Sequence, residues 1–427
     1  MPVLDSAVKG QIKVPNFRWW ICGLLFFATT INYVDRSVLG VLKGQLTKEL
    51  GWNEIDYSHI VMWFQAAYAA GYLLSGRLMD LIGLKRGYTL SVGLWSLAAA
   101  CTGFVSSIFA FCAVRAGLGL AEGGNFPAAV KTVGEWFPQR ERALATGLFN
   151  AGSNVGPIVT PLVVAWLTLH FGWQSAFFVT GIVGFAWIVA WWLVYQKPSE
   201  HSRLSPEELE YIQCSPSIQA ERIPWMSHLN RRSTWAFIVG MLFSAPIWWF
   251  YLNWGPDFFS KRFGYDLKNV GIPLVVIYLL ADVGSIGGGW LSSHLIRNGK
   301  SVDFARKITL LVCVLCILPV VFAATVTQAW LAILLLGLAM AGHQGWSANL
   351  YTLVSDTTPQ KAVSSVVGMG GMAGSLAGLF FSMYVGQVLQ KTQSYTSILY
   401  IAPVAYVVAL VLIQVLVPKI KPLTTPV

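Results

Sequence analysis

Residues 19–41 read WWICGLLFFATTINYVDRSVLGV, an apolar run interrupted only where Asn32, Tyr33, Asp35 and Arg36 fall together. A run of this length spans a hydrocarbon core of about 30 Å. Each charged side chain at mid-bilayer costs about 2.5–3.5 kcal/mol on insertion scales, so an adjacent acid and base there need partners and mark a functional site.

The same kind of run recurs along the chain. Of 427 residues, 55% are hydrophobic and 11% charged, against the roughly one-quarter charged content of soluble domains. Twelve spans are expected: 19–41, 57–81, 88–105, 108–135, a fifth ending near 169, 173–195, 234–254, 270–295, 306–323, 329–355, 362–389 and 395–417. The polar stretch 197–232, where Ser205-Pro206 opens a short helix, divides them into halves 1–196 and 233–427. The expected fold is an all-α polytopic membrane protein of twelve transmembrane helices in two pseudo-symmetric six-helix halves. Residues 43–56 are expected as an outer loop, and the first run as a span rather than a signal peptide, since no small-residue cleavage site follows it.

The formal charge of +10 follows topology. With the amino terminus cytoplasmic, 21 of the 29 Lys and Arg fall inside, among them Lys9, Lys13, Arg18, Arg140, Arg142, Arg222, Arg306 and Lys421. That is the positive-inside pattern. Both termini are then cytoplasmic, in a bacterial inner membrane, and nucleic acid is not the partner the charge implies. The six cysteines show no disulfide framework, and Cys313 and Cys316 are packing residues in a Val/Leu helix. No metal site, cofactor or catalytic nucleophile is expected, which argues against an enzyme.

Four charges lie well inside the first half: Asp35, Arg36, Arg115 and Glu122. Unpaired, they would cost about 10–14 kcal/mol. Fully ionised, they sum to zero. An arriving organic anion upsets that balance and favours uptake of a proton by a neighbouring carboxylate. Arg115 and Glu122, seven residues apart on one helix face, are too far apart to bond directly. Elsewhere Gln65, Tyr68 and Tyr72 share a face of the second span. Asn150, Ser153, Asn154, Pro157 and Pro161 break the fifth, tolerable in lipid only where protein or water re-satisfies the backbone. The tenth carries His343, Gln344, Ser347, Asn349 and Tyr351, and Asp282 in the eighth is expected to bond a neighbouring helix.

The second span ends GRLMDLIGLKR, residues 76–86. This run resembles the loop signature of the major facilitator superfamily at every defined position: Gly76, Arg77, Asp80, Gly83, Lys85 and Arg86. Residues 287–300 hold a degenerate copy at the matching place of the second half, the internal symmetry expected of a two-half transporter. The runs 32–36, 115–127 and 141–156 resemble the anion:cation symporters of that superfamily, which include bacterial hexuronate and galactonate importers and animal sialin. Residues 281–284 and the pair His343-Gln344 look most like the hexuronate branch. The resemblance implies substrate contacts at Tyr33, Arg36 and Tyr68, to which the polar faces above add Gln65, Ser153, Asn349 and Tyr351. It implies Asp35 and Glu122 as protonatable couplers and Arg115 as their switching partner. Ser153, Tyr351 and Gly371 stand where the galactonate pattern has a larger amide, tryptophan and asparagine, which points away from galactonate.

The expected function is therefore proton-coupled symport of a sugar acid, such as galacturonate or glucuronate, by alternating access in a monomer. The alternatives are an exchanger or an importer of another small carboxylate. A non-transporting receptor is a third, but no signalling domain accompanies the spans.

Overall fold

A computed structural model of the chain describes residues 16–214, 225–265 and 271–420. Lys9, Lys13, Arg222 and Lys421 lie outside the described residues.

The helices follow one another directly. In the first set they are α1 (Phe17–Leu50), α2 (Glu54–Ile82), α3 (Leu84–Thr102), α4 (Ile108–Glu122), α5 (Asn125–Trp136), α6 (Gln139–Phe171) and α7 (Trp173–Val194). After the short α8 (Pro206–Gln213) come α9 (Arg232–Phe263), α10 (Gly271–Arg297), α11 (Val302–Ile317), α12 (Ala329–Thr357), α13 (Val363–Thr392) and α14 (Thr396–Leu416). With α4 and α5 counted as one broken span, and α8 lying between the sets, these make twelve spans in two sets of six. Helices α6, α7, α9, α10, α12, α13 and α14, and α11 together with the 3-10 turn that carries it on to Ala324, are each long and apolar enough to cross a membrane. The four spans that fall short include α1 and the broken fourth, which carry Asp35, Arg36, Arg115 and Glu122.

Two expectations are corrected. The region 43–56 is not an open loop, because α1 continues to Leu50 and only residues 51–53 link it to α2. Leu39, Leu42 and Leu46 repeat at helical spacing and bury against Trp52, Phe111 and Val164, so the helix persists beyond its apolar run. Gly51 ends it in a left-handed conformation, and Asn53 and Asp56 form a capping box that starts α2. The fourth span is not continuous either. It breaks at Gly123-Gly124, where α4 lies so close to α2 that a Cβ on Gly123 would sit 2.4 Å from the Tyr72 amide nitrogen.

The linker helix behaves as its sequence suggests. Ser205 Oγ accepts from Glu208 N and caps α8. Glu208 in turn accepts from the Phe17 and Arg18 amides, each at 3.1 Å, so it caps α1. Arg18 bridges Glu208 and Glu141, tying the linker to the start of α6.

The two sets meet along two matching seams, α2 on α13 and α6 on α10. Gly76 and Gly289 hold equivalent places. A Cβ on Gly76 would lie 2.3 Å from Ser364 O, and one on Gly289 would lie 2.3 Å from Ala143 O. Backbone therefore meets backbone at both seams, near the face where α1 begins and α14 ends, called the basic face below. There Asp356 holds both Arg142 (3.2 Å) and Arg306 (2.9 Å), joining α6 to α11 and α12.

Candidate functional site

Between the seams lies a central cavity lined by both sets. The first set contributes Tyr33 from α1, Tyr68 and Tyr72 from α2, Phe126 from α5, and Asn150 and Ser153 from α6. The second contributes Trp248 and Trp249 from α9, His343, Gln344, Ser347 and Tyr351 from α12, and Ser375 from α13. Hydroxyls, amides and ring faces alternate around it. Such a wall suits a small polyol, whose hydroxyls need partners and whose carbon ring faces stack on aromatic rings.

Tyr68 OH donates to Tyr72 OH at 3.3 Å, and Tyr351 stacks on Phe126 with ring centroids 5.1 Å apart. His343 stacks on Trp248 and pairs through Nδ1 with the Tyr406 hydroxyl of α14. Gln344 reaches across to α6, where its Nε2 donates to Asn154 Oδ1 at 2.9 Å and its Oε1 accepts from Asn150 Nδ2 at 2.6 Å. Asp282 accepts from Asn154 Nδ2 at 2.7 Å, the interhelical bond anticipated for it.

Arg36 and Glu122 sit behind one wall of this cavity, with Arg115 on the backbone of α1 and Asp35 two residues beyond Tyr33 on the same helix. Arg36 donates through Nε and Nη2 to Glu122 Oε2, at 3.1 and 2.9 Å. Its guanidinium carbon lies 4.3 Å from the Tyr68 ring centroid, 4.7 Å from Tyr33 and 5.5 Å from Trp249. Those three rings also line the cavity, so they stand between it and Arg36. A cation held against several ring faces gains about 2 kcal/mol or more when desolvated. Arg115 bonds the backbone of α1 rather than a carboxylate, donating to the Asp35 carbonyl at 3.3 Å and the Arg36 carbonyl at 3.1 Å. Neither Asp35 carboxylate oxygen has a hydrogen-bond partner, and Arg36 Nη1 and Glu122 Oε1 are likewise buried and unbonded. Among the described residues the quartet thus resolves into one ion pair, one guanidinium on carbonyls and one acid, Asp35, that has no ion pair and lies beside the Thr180 side chain.

The sequence-derived candidates divide by position. Tyr33, Tyr68, Ser153 and Tyr351 line the cavity, with the Arg36–Glu122 pair behind the Tyr33 and Tyr68 rings, while Asp35 and Arg115 do not line it. Gln65 is half-buried on α2, off the cavity. Asn349 faces the α10 contact instead, donating to Gly288 O at 3.1 Å and to Gly345 O within its own helix. Tyr72, Asn150, Trp248, Trp249 and Gln344 line the cavity without having been singled out as ligands. Tyr72 belongs to the Gln65–Tyr68–Tyr72 face read from the sequence, whereas the tryptophans are placed by packing between the two sets.

The loop signature lies at the basic face. Asp80 Oδ1 pairs with Lys131 of α5 at 2.7 Å, and Oδ2 accepts from the Ser365 amide and hydroxyl at 2.8 and 2.6 Å, so Asp80 caps α13 of the other set. Gly83 has φ of 87°, the left-handed region that a turn between α2 and α3 requires. Lys85 donates to Trp192 O, and Arg86 is exposed.

Residues 25–382 match the family model of the Major Facilitator Superfamily. The chain is 30% identical to the hexuronate transporter of Escherichia coli (strain K12) over 380 residues, 88% of each chain. It is 28% identical to the probable galactarate/D-glucarate transporter GarP of the same strain over 439 residues, 98% of each. Among solved structures, the fold is similar to that of the proton:xylose symporter XylE, with a TM-score of 0.72, 13% identity and coverage of 95% of this chain and 97% of that one. The chain therefore belongs to the Major Facilitator Superfamily and is an integral membrane transporter, not an enzyme.

Proposed function

We propose that this transporter imports a sugar acid together with protons, and that its substrate is a hexuronate such as galacturonate or glucuronate. The observation that carries the reading is the Arg36–Glu122 pair, packed behind cavity-lining rings, with the Asp35 carboxyl, which has no ion pair among the described residues, beside it in sequence. A substrate carboxylate that passes Tyr33 and Tyr68 competes with Glu122 for Arg36. Arg36 now donates two N–H groups to Glu122 Oε2, and a guanidinium can offer a substrate carboxylate two parallel N–H bonds instead. Glu122, once displaced, takes a proton, because two anions cannot share one guanidinium without cost. Asp35 gains or loses a proton without an ion pair being broken. Ser153, Tyr351 and the amides of Asn150 and Gln344 meet the sugar hydroxyls. The named relatives that handle hexuronates and aldarates support the same substrate class.

In this reading the basic face is cytoplasmic, both termini lie there, and the membrane is the bacterial inner membrane. The halves 1–196 and 233–427 rock about the cavity, with 197–232 as their tether. Asp80, Lys131 and Ser365, together with Arg142, Asp356 and Arg306, hold the cytoplasmic side shut while substrate enters from outside. The proton is the only coupling ion and no cofactor takes part. Uptake of labelled uronates and aldonates into proteoliposomes, with and without a pH gradient, tests the reading. Gradient-dependent uptake of a hexuronate supports it, and failure of every acid to be transported overturns it.

A further inference from the structure

At the basic face, away from the central cavity, a second opening of about 780 Å³ lies among the ends of α2, α3, α5 and α7 and the α12–α13 connection. The central cavity holds about 50 Å³ by the same measure. An opening of a few hundred Å³ or more accommodates a small ligand. Five cations line this one. Lys131 is neutralised by Asp80 at 2.7 Å and Lys197 pairs with Glu200 at 3.3 Å. Lys85, Arg86 and Lys361 have no ion pair among the described residues, and Glu135, which accepts from Tyr195 OH, is the one remaining acid. Three cations thus face one acid.

The cations come from both sets. Lys85 and Arg86 open α3, whereas Lys361 belongs to the α12–α13 connection, next to Gln360, whose Nε2 donates across the seam to Gly134 O at 2.7 Å. They converge only while the seam is shut. The rim on one side is apolar, with Leu81, Ile82 and Trp192 each between 41% and 50% exposed and Lys85 lying 4.8 Å from the Trp192 ring centroid. A tryptophan beside a lysine at the end of a span marks the level of lipid headgroups.

We infer that this opening binds a phosphate group across the seam, from a lipid headgroup in the adjoining leaflet or from a free phosphate, and that the bound phosphate holds the basic face closed. The logic is linkage: a ligand whose contacts exist in only one state shifts the population toward that state. Basic pockets at the ends of membrane helices are suited to anionic headgroups, each basic group contributing about 1 kcal/mol. The inference concerns the closed face alone and does not depend on which acid is carried.

The test is a spin-label pair across the seam near the basic face, read by distance distribution in vesicles. Wild type and Lys361→Gln are compared in neutral phosphatidylcholine, in phosphatidylglycerol mixtures, and in phosphatidylcholine with inorganic phosphate replacing chloride at equal ionic strength. We expect phosphatidylglycerol or phosphate to raise the closed-to-open ratio of the wild type, and Lys361→Gln to lower that gain about fivefold while matching the wild type in neutral lipid. A shift with phosphatidylglycerol alone assigns the phosphate to lipid, and one with inorganic phosphate as well assigns it to either source. No shift in the wild type overturns the inference, and so does an equal shift in both proteins, which would be a general effect of membrane charge.

Discussion

Arg36 of α1 and Glu122 of α4 form a buried ion pair, with Nη2 to Oε2 at 2.9 Å, and three of the aromatic rings covering the guanidinium, Tyr33, Tyr68 and Trp249, also line the central cavity. Substrate and counter-ion are thereby set in competition for one group. Arg36→Lys keeps the charge but loses the paired bonds to Glu122 and the flat contact with Tyr33 and Tyr68. Affinity for a hexuronate, measured by calorimetry, is expected to fall about tenfold or more. Near-normal affinity would remove Arg36 from the carboxylate site.

Asp80→Asn breaks the pair with Lys131 and weakens the cap on α13. A cap is worth about 1 kcal/mol, and more when charged. Because these contacts lie at the basic face, away from the cavity, uptake is expected to slow about fivefold to tenfold with affinity held within about twofold. Equilibrium binding set against initial uptake rate checks this. A large loss of affinity with normal turnover would contradict it.

Asp356→Asn should harm the protein more than Arg142→Gln. Asp356 neutralises two buried guanidinium groups, so its loss leaves both charges uncompensated although Arg142 keeps the carbonyls of Gly134, Phe137 and Ser355 and Arg306 keeps Ser292 Oγ and Gln139 O, whereas loss of Arg142 leaves the Arg306–Asp356 pair in place. Breaking a buried pair from one side costs about 3–5 kcal/mol. Thermal inactivation in detergent should place Asp356→Asn below Arg142→Gln, and the reverse order would mean the cluster is not organised around Asp356.

Gly76→Ala and Gly289→Ala should act alike despite lying in different sets. Each adds a Cβ within 2.3 Å of a carbonyl across a seam, and neither touches the cavity. Both variants are expected to bind substrate normally and to favour the state open at the basic face. Measurement of the seam distance by spin labels in each variant tests the equivalence, which fails if only one of the two opens.

How far the sequence carried this account depends on the kind of contact. The spans, the four intramembrane charges and the loop signature were legible because hydropathy and charge position are local. The pairing of the charges was not. Spacing places Arg115 and Glu122 on one face, but Arg115 turns to the carbonyls of α1, and it is Arg36 that crosses to Glu122. Gln65 and Asn349 were drawn in by their chemistry, yet helix rotation sets Asn349 against α10 and leaves Gln65 off the cavity. Trp248 and Trp249 were missed as lining residues because their position depends on how one set of helices meets the other. The break in the fourth span has a local signal, Gly123-Gly124 just ahead of Pro127, but the fit of Gly123 against α2 depends on how the helices meet.

Two carboxylates in the quartet allow two protons per substrate. One proton with a monoanion moves no net charge, whereas two protons move one positive charge, worth about 2.3 kcal/mol per 100 mV. Wild-type uptake should therefore rise when valinomycin and a potassium gradient make the vesicle interior negative. Uptake indifferent to potential would limit the coupling to a single proton.

The central claim is that protonation of the quartet couples the pH gradient to substrate movement, and Glu122→Gln tests it most directly because the amide stands for the permanently protonated acid. In proteoliposomes loaded with unlabelled galacturonate, the variant should still exchange it for labelled galacturonate, since exchange requires no change of protonation at this position. With an inward proton gradient and no internal substrate, the wild type should accumulate label above the external concentration, and the variant, left with Asp35 alone, should accumulate far less. Accumulation by Glu122→Gln equal to that of the wild type would contradict the account and send the proton by another route, through Asp35 or His343.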